Sequence, residues 1–332
     1  MMRNSFVLAL CASLAACSDN TSTPTPTDVP PVDVSGNDAA SDADNDAAAD
    51  APSDARTDAP PADAPSVRCG SGRPALSGTS GTEGLVIAAD GTIYYSQASA
   101  IGRITPEGTR NGAWVRVTGA TTMWGLALDA ARNRLYAGSP VTRSIHMVDL
   151  SADPPTATVL LSGAGQPNGL TMGPDGYLYY SDFGGGHVWR VGPDGMRTQV
   201  TTTTISQANG VAFYNGDLYV DSYARGTLYR LTVQDGMETA RASVITGLGN
   251  LDGLAFDATG AAYVTDQRAG RLVRIAPDGS TSEDLLTGLS APANIEFGVG
   301  ALSCSDIYVA TGSGVVRFEM GSANGLDVPW HH

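Results

Sequence analysis

One stretch of this chain, residues 166–191, indicates the fold: QPNGLTMGPDGYLYYSDFGGGHVWRV. It contains the pair Asn168-Gly169, an apolar run, an Asp-Gly turn, a Tyr-rich run and a third apolar run after a glycine cluster. Alternating polarity, aromatic and β-branched residues and Asp-Gly turns are typical of antiparallel strands. The stretch therefore predicts three consecutive strands, the first of which starts at Asn-Gly.

The same pattern occurs six times along residues 67–332. Five copies have a glycine directly before the first apolar run, and most copies contain a fourth strand-like run. Four strands in a unit of roughly 40–45 residues are typical of a propeller blade. The sequence therefore predicts an all-β fold, a six-bladed β-propeller with four-stranded blades over residues 67–332. The aligned positions, spaced by 41, 44, 41, 43 and 42 residues, are Gly84, Gly125, Gly169, Gly210, Gly253 and Ile295.

Two cysteines, Cys69 and Cys304, fall within the predicted propeller. An even pair in an oxidising compartment favours a disulfide, and two free thiols are the alternative. Residues 73–78, RPALSG, precede the first unit and are expected to add the outermost strand to the sixth blade, which contains Cys304. A Cys69–Cys304 bond would then close the ring and constrain a very long loop.

The first 16 residues have the features of a lipoprotein signal peptide. Arg3 precedes an apolar run over residues 6–16, which is too short to span a bilayer. The run ends in Leu-Ala-Ala before Cys17, a pattern that predicts cleavage and lipidation of the Cys17 thiol. The alternative is an ordinary signal peptide cut nearby. Because Ser18 follows the cysteine, we expect a cell-envelope lipoprotein in the outer membrane rather than the inner one.

Residues 17–66 are predicted to be a disordered tether. From residue 18 onwards they are almost only Asp, Ala, Pro, Ser and Thr, and they include no aromatic residue. Such a segment cannot bury enough apolar surface to offset its chain entropy. Residues 18–66 carry 11 Asp and one Arg, so they hold a net charge of −10 out of the chain's −15. This acidity argues against a nucleic-acid partner.

Several catalytic classes are disfavoured by the residues present. The chain has no lysine, which excludes a Schiff-base lysine and a P-loop. Ser222 lacks the glycine context of a hydrolase nucleophile elbow. Only His146 and His187 lie within the repeats away from the terminus, which disfavours a histidine-dependent lyase or a zinc site.

The residue directly before each aligned position is more informative about function than the aligned residue itself. The first strand of a propeller blade lies beside the central channel, so these six residues are expected to meet around one axis. Two carboxylates and several amide oxygens form a ligand set for a hard divalent cation, with Ca²⁺ favoured and Mg²⁺ or Mn²⁺ possible. The alternative is that Asn-Gly and Asp-Gly are only turn formers. The six residues are Glu83, Trp124, Asn168, Asn209, Asp252 and Asn294.

Four segments carry a resemblance to a known family. They are PNGLTMGPDGYLYYSD (167–182), TEG (82–84), LDG (251–253) and PANIEFG…DIYVAT (292–311). Together they resemble the senescence-marker-protein/gluconolactonase family, the regucalcin family, over residues 75–320. The resemblance implies a six-bladed propeller that hydrolyses sugar lactones or, in some relatives, other esters.

The resemblance also implies roles for individual residues. One divalent cation would be bound by Glu83, Asn209 and Asp252, and Asn168 would contact substrate or cation-bound water. A cation there would polarise a lactone carbonyl and stabilise the developing oxyanion. Asp252 is the candidate base that accepts a proton from the attacking water, because its second oxygen is expected to be free.

Three positions depart from the family pattern and concern the substrate. Gln166 stands where the family often has an arginine, Leu85 follows Gly84 where a proline is usual, and Trp124 makes the ring more apolar. With Asn168, Gln166 and Trp124 are the expected substrate-binding residues, unless Trp124 only plugs the channel. These departures favour a hydrophobic or aromatic lactone or ester over a sugar acid.

The sequence thus predicts an envelope-tethered, divalent-metal-dependent hydrolase of small lactones or esters. We expect it to be a monomer whose membrane contact is its lipid anchor. The alternative is a non-catalytic propeller that binds a glycan, a peptide or a protein, because propellers have many functions.

Overall fold

The computed structural model describes residues 69–320. The predicted signal peptide, Cys17 and the tether lie outside the described residues. Residues 69–320 contain 23 strands in six antiparallel sheets and no helix. The described part therefore has no helix that could cross a membrane. The all-β, six-bladed propeller predicted from the repeat is confirmed.

Five blades have four strands each, in chain order across the sheet, and the sixth has three. The first blade contains β1 (Leu85–Ile87), β2 (Ile93–Gln97), β3 (Ala100–Ile104) and β4 (Arg110–Arg116). The second contains β5 (Leu126–Asp129), β6 (Arg134–Ser139), β7 (Ser144–Asp149) and β8 (Ala157–Ser162). The third contains β9 (Pro167–Met172), β10 (Leu178–Asp182), β11 (His187–Val191) and β12 (Arg197–Gln199).

The remaining blades follow the same order. The fourth contains β13 (Ala208–Tyr214), β14 (Asp217–Ser222), β15 (Thr227–Gln234) and β16 (Met237–Ile245). The fifth contains β17 (Leu251–Phe256), β18 (Ala262–Asp266), β19 (Arg271–Ile275) and β20 (Ser282–Thr287). The sixth contains β21 (Ile295–Phe297), β22 (Asp306–Thr311) and β23 (Gly314–Glu319).

The first strand of each blade is the innermost. These strands contact one another in a closed series, β1 with β5, β5 with β9, and so on until β21 returns to β1. Apolar side chains fill the space between neighbouring blades in six clusters, one for each blade-to-blade interface. The tyrosines that mark the second strands pack in these interfaces, and Tyr95, Tyr180, Tyr263 and Tyr308 are among the largest fully buried side chains. Burial between blades explains why the repeat retains an aromatic residue there.

The ring is closed where the described chain begins. A disulfide joins Cys69 to Cys304, with the Cα atoms 5.5 Å apart, as predicted. The backbone N–H of Gly70 donates to the carbonyl of Gly300 at 2.7 Å, and the Arg73 guanidinium pairs with the buried Asp306 at 2.8 Å. These contacts attach the segment before the first blade to the last blade.

The prediction that residues 73–78 form a fourth strand of the sixth blade is wrong. The segment lies along β23 without a strand ladder. Pro74 has no N–H to donate, and the Thr79 hydroxyl, rather than a backbone carbonyl, accepts the N–H of Val315 at 2.8 Å. A side-chain contact therefore replaces a ladder bond at this edge.

Candidate functional site

The pair Asn168-Gly169 lies inside β9, not in a turn. Asn209 and Asp252 likewise lie within β13 and β17, each followed by its glycine in the same strand. The reading of these pairs as turn formers is therefore wrong. Their side chains belong to the inner edge of the blades.

The repeated glycine is required by the contact with the next blade. A Cβ added at Gly125 would overlap the carbonyl oxygen of Asn168, and one added at Gly169 would overlap that of Asn209. The same holds at Gly84 against the carbonyl of Trp124. In these blades the carbonyl of the residue before the repeated glycine thus packs directly on the glycine of the preceding blade, which brings these residues of neighbouring blades close together.

Most of these side chains meet at one small cavity of about 20 Å³. A volume of roughly 10–15 Å³ is enough for one water molecule, so the cavity suits a water or a single ion. Trp124 does not line it, although the adjacent Gly125 does. The ring residues that line the cavity are Glu83, Asn168, Asn209, Asp252 and Asn294.

Two carboxyl groups face each other there without a cationic partner. Burial raises the pKa of Glu83 above its usual value. Burial also raises the pKa of Asp252, the charges of Glu83 and Asp221 raise it further, and a hydrogen bond from Asn209 opposes them. Among residues 69–320, no arginine forms an ion pair with Glu83 or Asp252. Two adjacent buried carboxylates are stable only when a proton or a cation neutralises them.

The donor set fits a hard divalent cation. Glu83 and Asp252 supply carboxylate oxygens and Asn209 supplies an amide oxygen, which is the ligand chemistry of Ca²⁺ and Mg²⁺. Within the described residues, no three His, Cys, Asp or Glu side chains form a metal-binding group. The predicted set differs from such a group because its third member is an asparagine.

The second oxygen of Asp252 is not free, contrary to the expectation from sequence. Gln267 Nε2 donates to Asp252 Oδ2 at 2.7 Å, and Gln267 Oε1 accepts a hydrogen bond from the Tyr223 hydroxyl at 3.1 Å. These contacts fix the plane of the Asp252 carboxyl. A carboxylate oxygen has two lone pairs, so Oδ2 keeps capacity for one more proton donor.

Asp221 is a further buried acid near the site. In the fourth blade it occupies the position that Ser181 has in the third blade and Thr265 in the fifth. Each of those hydroxyls accepts an N–H from the inner strand of its own blade and donates to a carbonyl of the next blade. Asp221 Oδ1 accepts the N–H of Gly210 at 3.1 Å, whereas the buried Oδ2 has no hydrogen-bond partner. Burial raises the pKa of Asp221 well above its usual value, which favours the protonated form of this side chain.

A protonated Asp221 can make both contacts that the hydroxyls make. The acceptor would be the carbonyl oxygen of Asp252. This oxygen and Asp221 Oδ2 both lie next to Gly210, because a Cβ placed on Gly210 would lie 2.6 Å from the former and close to the latter. The sequence signal was present, because this register holds Ser or Thr in the first, third and fifth blades, at Ser96, Ser181 and Thr265.

Gln166 and Trp124, the two other predicted substrate-binding residues, lie at the rim of the channel mouth and not in the cavity. Gln166 is exposed, and its backbone N–H donates to Asp182 Oδ1 at 2.8 Å. The Trp124 ring is half-buried and contacts Phe183, with the centroids 5.8 Å apart. Phe183 in turn contacts Tyr223 at 5.7 Å. Phe183, Tyr223 and Gln267 were missed by sequence reasoning, although each directly follows the second strand of its blade.

Below the cavity the channel continues between the inner strands. It widens to a second cavity of about 60 Å³, which is lined mainly by residues with apolar side chains. Glu296 is the one carboxyl in that lining, and burial raises its pKa to about 8. Asn294 lines both cavities.

The two histidines within the repeats lie away from the inner strands. His146 is in β7 and bonds the Ser144 hydroxyl at 2.9 Å, while His187 is in β11 and bonds the Thr201 hydroxyl at 3.1 Å. Neither lines the two channel cavities.

No protein-family model and no curated protein matches the sequence. Solved structures do match the fold. Regucalcin from Agrobacterium tumefaciens strain C58, a calcium-binding protein, is 16% identical with a TM-score of 0.64, over 80% of this chain and 99% of that one. A gluconolactonase from Xanthomonas campestris is 19% identical with a TM-score of 0.61, over 73% of this chain and 86% of that one.

Virginiamycin B lyase from Staphylococcus aureus is also similar, at 14% identity and a TM-score of 0.54, over 73% of this chain and 86% of that one. A variant of that lyase with one histidine replaced by alanine is catalytically inactive. At these identities the likeness shows a shared propeller fold, and structural neighbours of this fold include gluconolactonases and regucalcin as well as a lyase.

Proposed function

We propose that this protein is a cation-dependent hydrolase of lactones or esters. The proposal rests on one observation: Glu83, Asn209 and Asp252 converge on a cavity that suits one ion, with one buried and one half-buried carboxyl and no cationic side chain paired to them. These three residues would hold a single divalent cation, Ca²⁺ in preference to Mg²⁺ or Mn²⁺. A gluconolactonase and a calcium-binding regucalcin among the structural neighbours support this choice.

The bound cation would polarise the substrate carbonyl and stabilise the negative charge that develops on its oxygen. Asp252 accepts the proton of the attacking water at Oδ2, the atom that Gln267 holds in place. Asn168, buried beside it in the cavity, orients the water or a substrate oxygen through its amide.

A histidine-dependent lyase is the less favoured reaction. A histidine is needed in the Staphylococcus lyase, whereas His146 and His187 here lie outside the channel cavities and bond neighbouring hydroxyls. The carboxyl and amide groups at the channel mouth support hydrolysis instead.

The setting we propose is the cell envelope. Lipidation of Cys17 and the acidic tether would hold a monomeric propeller at the outer membrane, where its substrate is a small molecule. A Cys17→Ser variant is expected to move from the membrane fraction to the soluble fraction of cells. Retention of that variant in the membrane fraction would argue against the lipid anchor.

Metal analysis combined with a substrate screen tests the function. Purified wild type should contain about one divalent cation per chain and hydrolyse some members of a lactone and ester panel. Asp252→Ala should lose the cation and about 100-fold or more of kcat/KM. Asp194→Ala, which alters an exposed turn aspartate, is the matched control and should retain both.

Two results would overturn parts of the proposal. A protein without any bound cation, even after incubation with Ca²⁺, Mg²⁺ or Mn²⁺, would contradict the metal site. A protein that binds the cation through Asp252 but hydrolyses nothing in the panel would instead support the non-catalytic binding module.

A further inference from the structure

The rim of the channel is asymmetric. In every blade one residue directly follows the second strand and begins the loop next to the channel mouth. These residues are large in the third, fourth and fifth blades and small in the sixth, first and second. In chain order they are Ala98, Pro140, Phe183, Tyr223, Gln267 and Gly312.

Three aromatic rings form a continuous surface on the crowded side, which we call the aromatic wall: Trp124, Phe183 and Tyr223. Trp124 meets Phe183 at 71° and Phe183 meets Tyr223 at 67°, both edge-to-face. All three rings are half-buried, so each keeps apolar surface accessible beside the cavity. A half-buried aromatic surface next to a polar cavity is typical of a ligand site.

The aromatic wall is held in place by the repeat itself. The backbone N–H of Phe183 donates to the carbonyl of Gln166 at 3.0 Å, and that of Tyr223 donates to the carbonyl of Gln207 at 3.0 Å. The Tyr223 hydroxyl is fixed by its bond to Gln267. The backbone of both residues and the Tyr223 side chain are therefore held before a ligand binds, which lowers the entropy cost of contacting them.

The wall is connected to the catalytic carboxyl through two hydrogen bonds. Tyr223 donates to Gln267, and Gln267 donates to Asp252. A group that stacks on Tyr223 is therefore two hydrogen bonds away from Asp252. The residues at the equivalent positions of the opposite blades, such as Ala98 and Gly312, are small. The attached carbonyl of the ligand would then face the carboxylates of the cavity.

We propose that the aromatic wall selects substrates in which a flat aromatic group is joined to the reacting carbonyl, namely benzo-fused lactones or aryl esters. This inference rests on the proposed hydrolytic function and adds the substrate class. A sugar lactone would place several hydroxyls against the wall, whose one hydroxyl already donates to Gln267. Unpaired hydroxyls would make such a substrate unfavourable.

Two lactones with the same six-membered ring test the inference: dihydrocoumarin, which has a fused benzene ring, and δ-valerolactone, which does not. The variant is Phe183→Ala, which removes the centre of the wall without changing a cavity residue. The control is Trp114→Ala, an equally half-buried aromatic in the outermost strand of the first blade. The quantity measured is the ratio of kcat/KM between wild type and variant for each lactone, in which intrinsic reactivity cancels.

Phe183→Ala should lower kcat/KM for dihydrocoumarin about tenfold and that for δ-valerolactone by less than about twofold. Trp114→Ala should lower both equally or not at all. Equal loss on both lactones in Phe183→Ala would overturn the assignment of the wall, even though hydrolysis itself had been shown.

A binding measurement tests the substrate class independently of hydrolysis. If wild type hydrolyses neither lactone, calorimetric binding of the intact lactones decides. Dihydrocoumarin should bind about tenfold more tightly than δ-valerolactone, and the difference should disappear in Phe183→Ala. Equal binding of the two lactones by wild type would overturn the substrate class whatever the catalytic result.

Discussion

Reduction of the Cys69–Cys304 disulfide is expected to destabilise the propeller strongly. The bond joins residues separated by 235 positions, so it constrains almost the entire described chain. Loop-closure entropy for a loop of this length corresponds to about 5.5 kcal/mol at 25 °C. An unfolding entropy of about 2.1 cal/mol/K per residue, over the described residues, converts this loss into a fall in Tm of about 10 °C.

The assay is thermal unfolding followed by circular dichroism, with and without a phosphine reductant. Reduced wild type retains both sulfur atoms, so the comparison isolates the cross-link. The double variant Cys69→Ala/Cys304→Ala serves as the second measurement, and it should lose somewhat more because Cys304 is buried. Free-thiol titration of the folded, untreated protein should find neither Cys69 nor Cys304.

A fall in Tm of less than about 3 °C would refute the entropy argument. It would mean that the ends of the reduced chain stay close in the denatured ensemble, or that the native bond is offset by unfavourable packing.

Three further predictions concern the acids of the channel. Because burial raises the pKa values of Glu83 and Asp252 in the metal-free protein, protons compete with the cation: Ca²⁺ affinity measured by calorimetry should fall from pH 8 to pH 5.5, and a constant affinity would contradict the paired carboxylates. The raised pKa of Glu296 stabilises the fold below about pH 4.5, and this contribution is lost as the pH rises through about 8. The Tm of Glu296→Gln relative to that of wild type should therefore increase between pH 5 and pH 9. A difference in Tm that does not change with pH would show that Glu296 is solvated. Asp221→Asn retains an acceptor for Gly210 and a donor, so its Tm at pH 7 should stay within about 2 °C of wild type, whereas Asp221→Ala should lose about 1–3 kcal/mol; equal losses in the two variants would rule out a neutral Asp221.

The sequence was sufficient for the architecture because the repeat is local. Each blade is a run of adjacent strands joined by short turns, so Asp-Gly pairs and alternating polarity determine it within about 42 residues. The position of Asn168 on the inner edge follows from that periodicity. The prediction of a strand at residues 73–78 was wrong because the contacts of this segment with the last blade depend on the Thr79 hydroxyl and on Pro74. The alternation of polar and apolar residues does not reveal such contacts.

The sequence by itself determined the number of blades, the disulfide partners and the register that places Glu83, Asn209 and Asp252 at the channel mouth. Only the tertiary structure decided what surrounds them, because those contacts join residues from different blades. It showed that the glycine after each ring residue makes room for the carbonyl of the next blade, that Gln267 holds Asp252, and that Trp124, Phe183 and Tyr223 form one wall. Contacts between blades depend on how six similar units are rotated about the axis, and no single repeat encodes that arrangement.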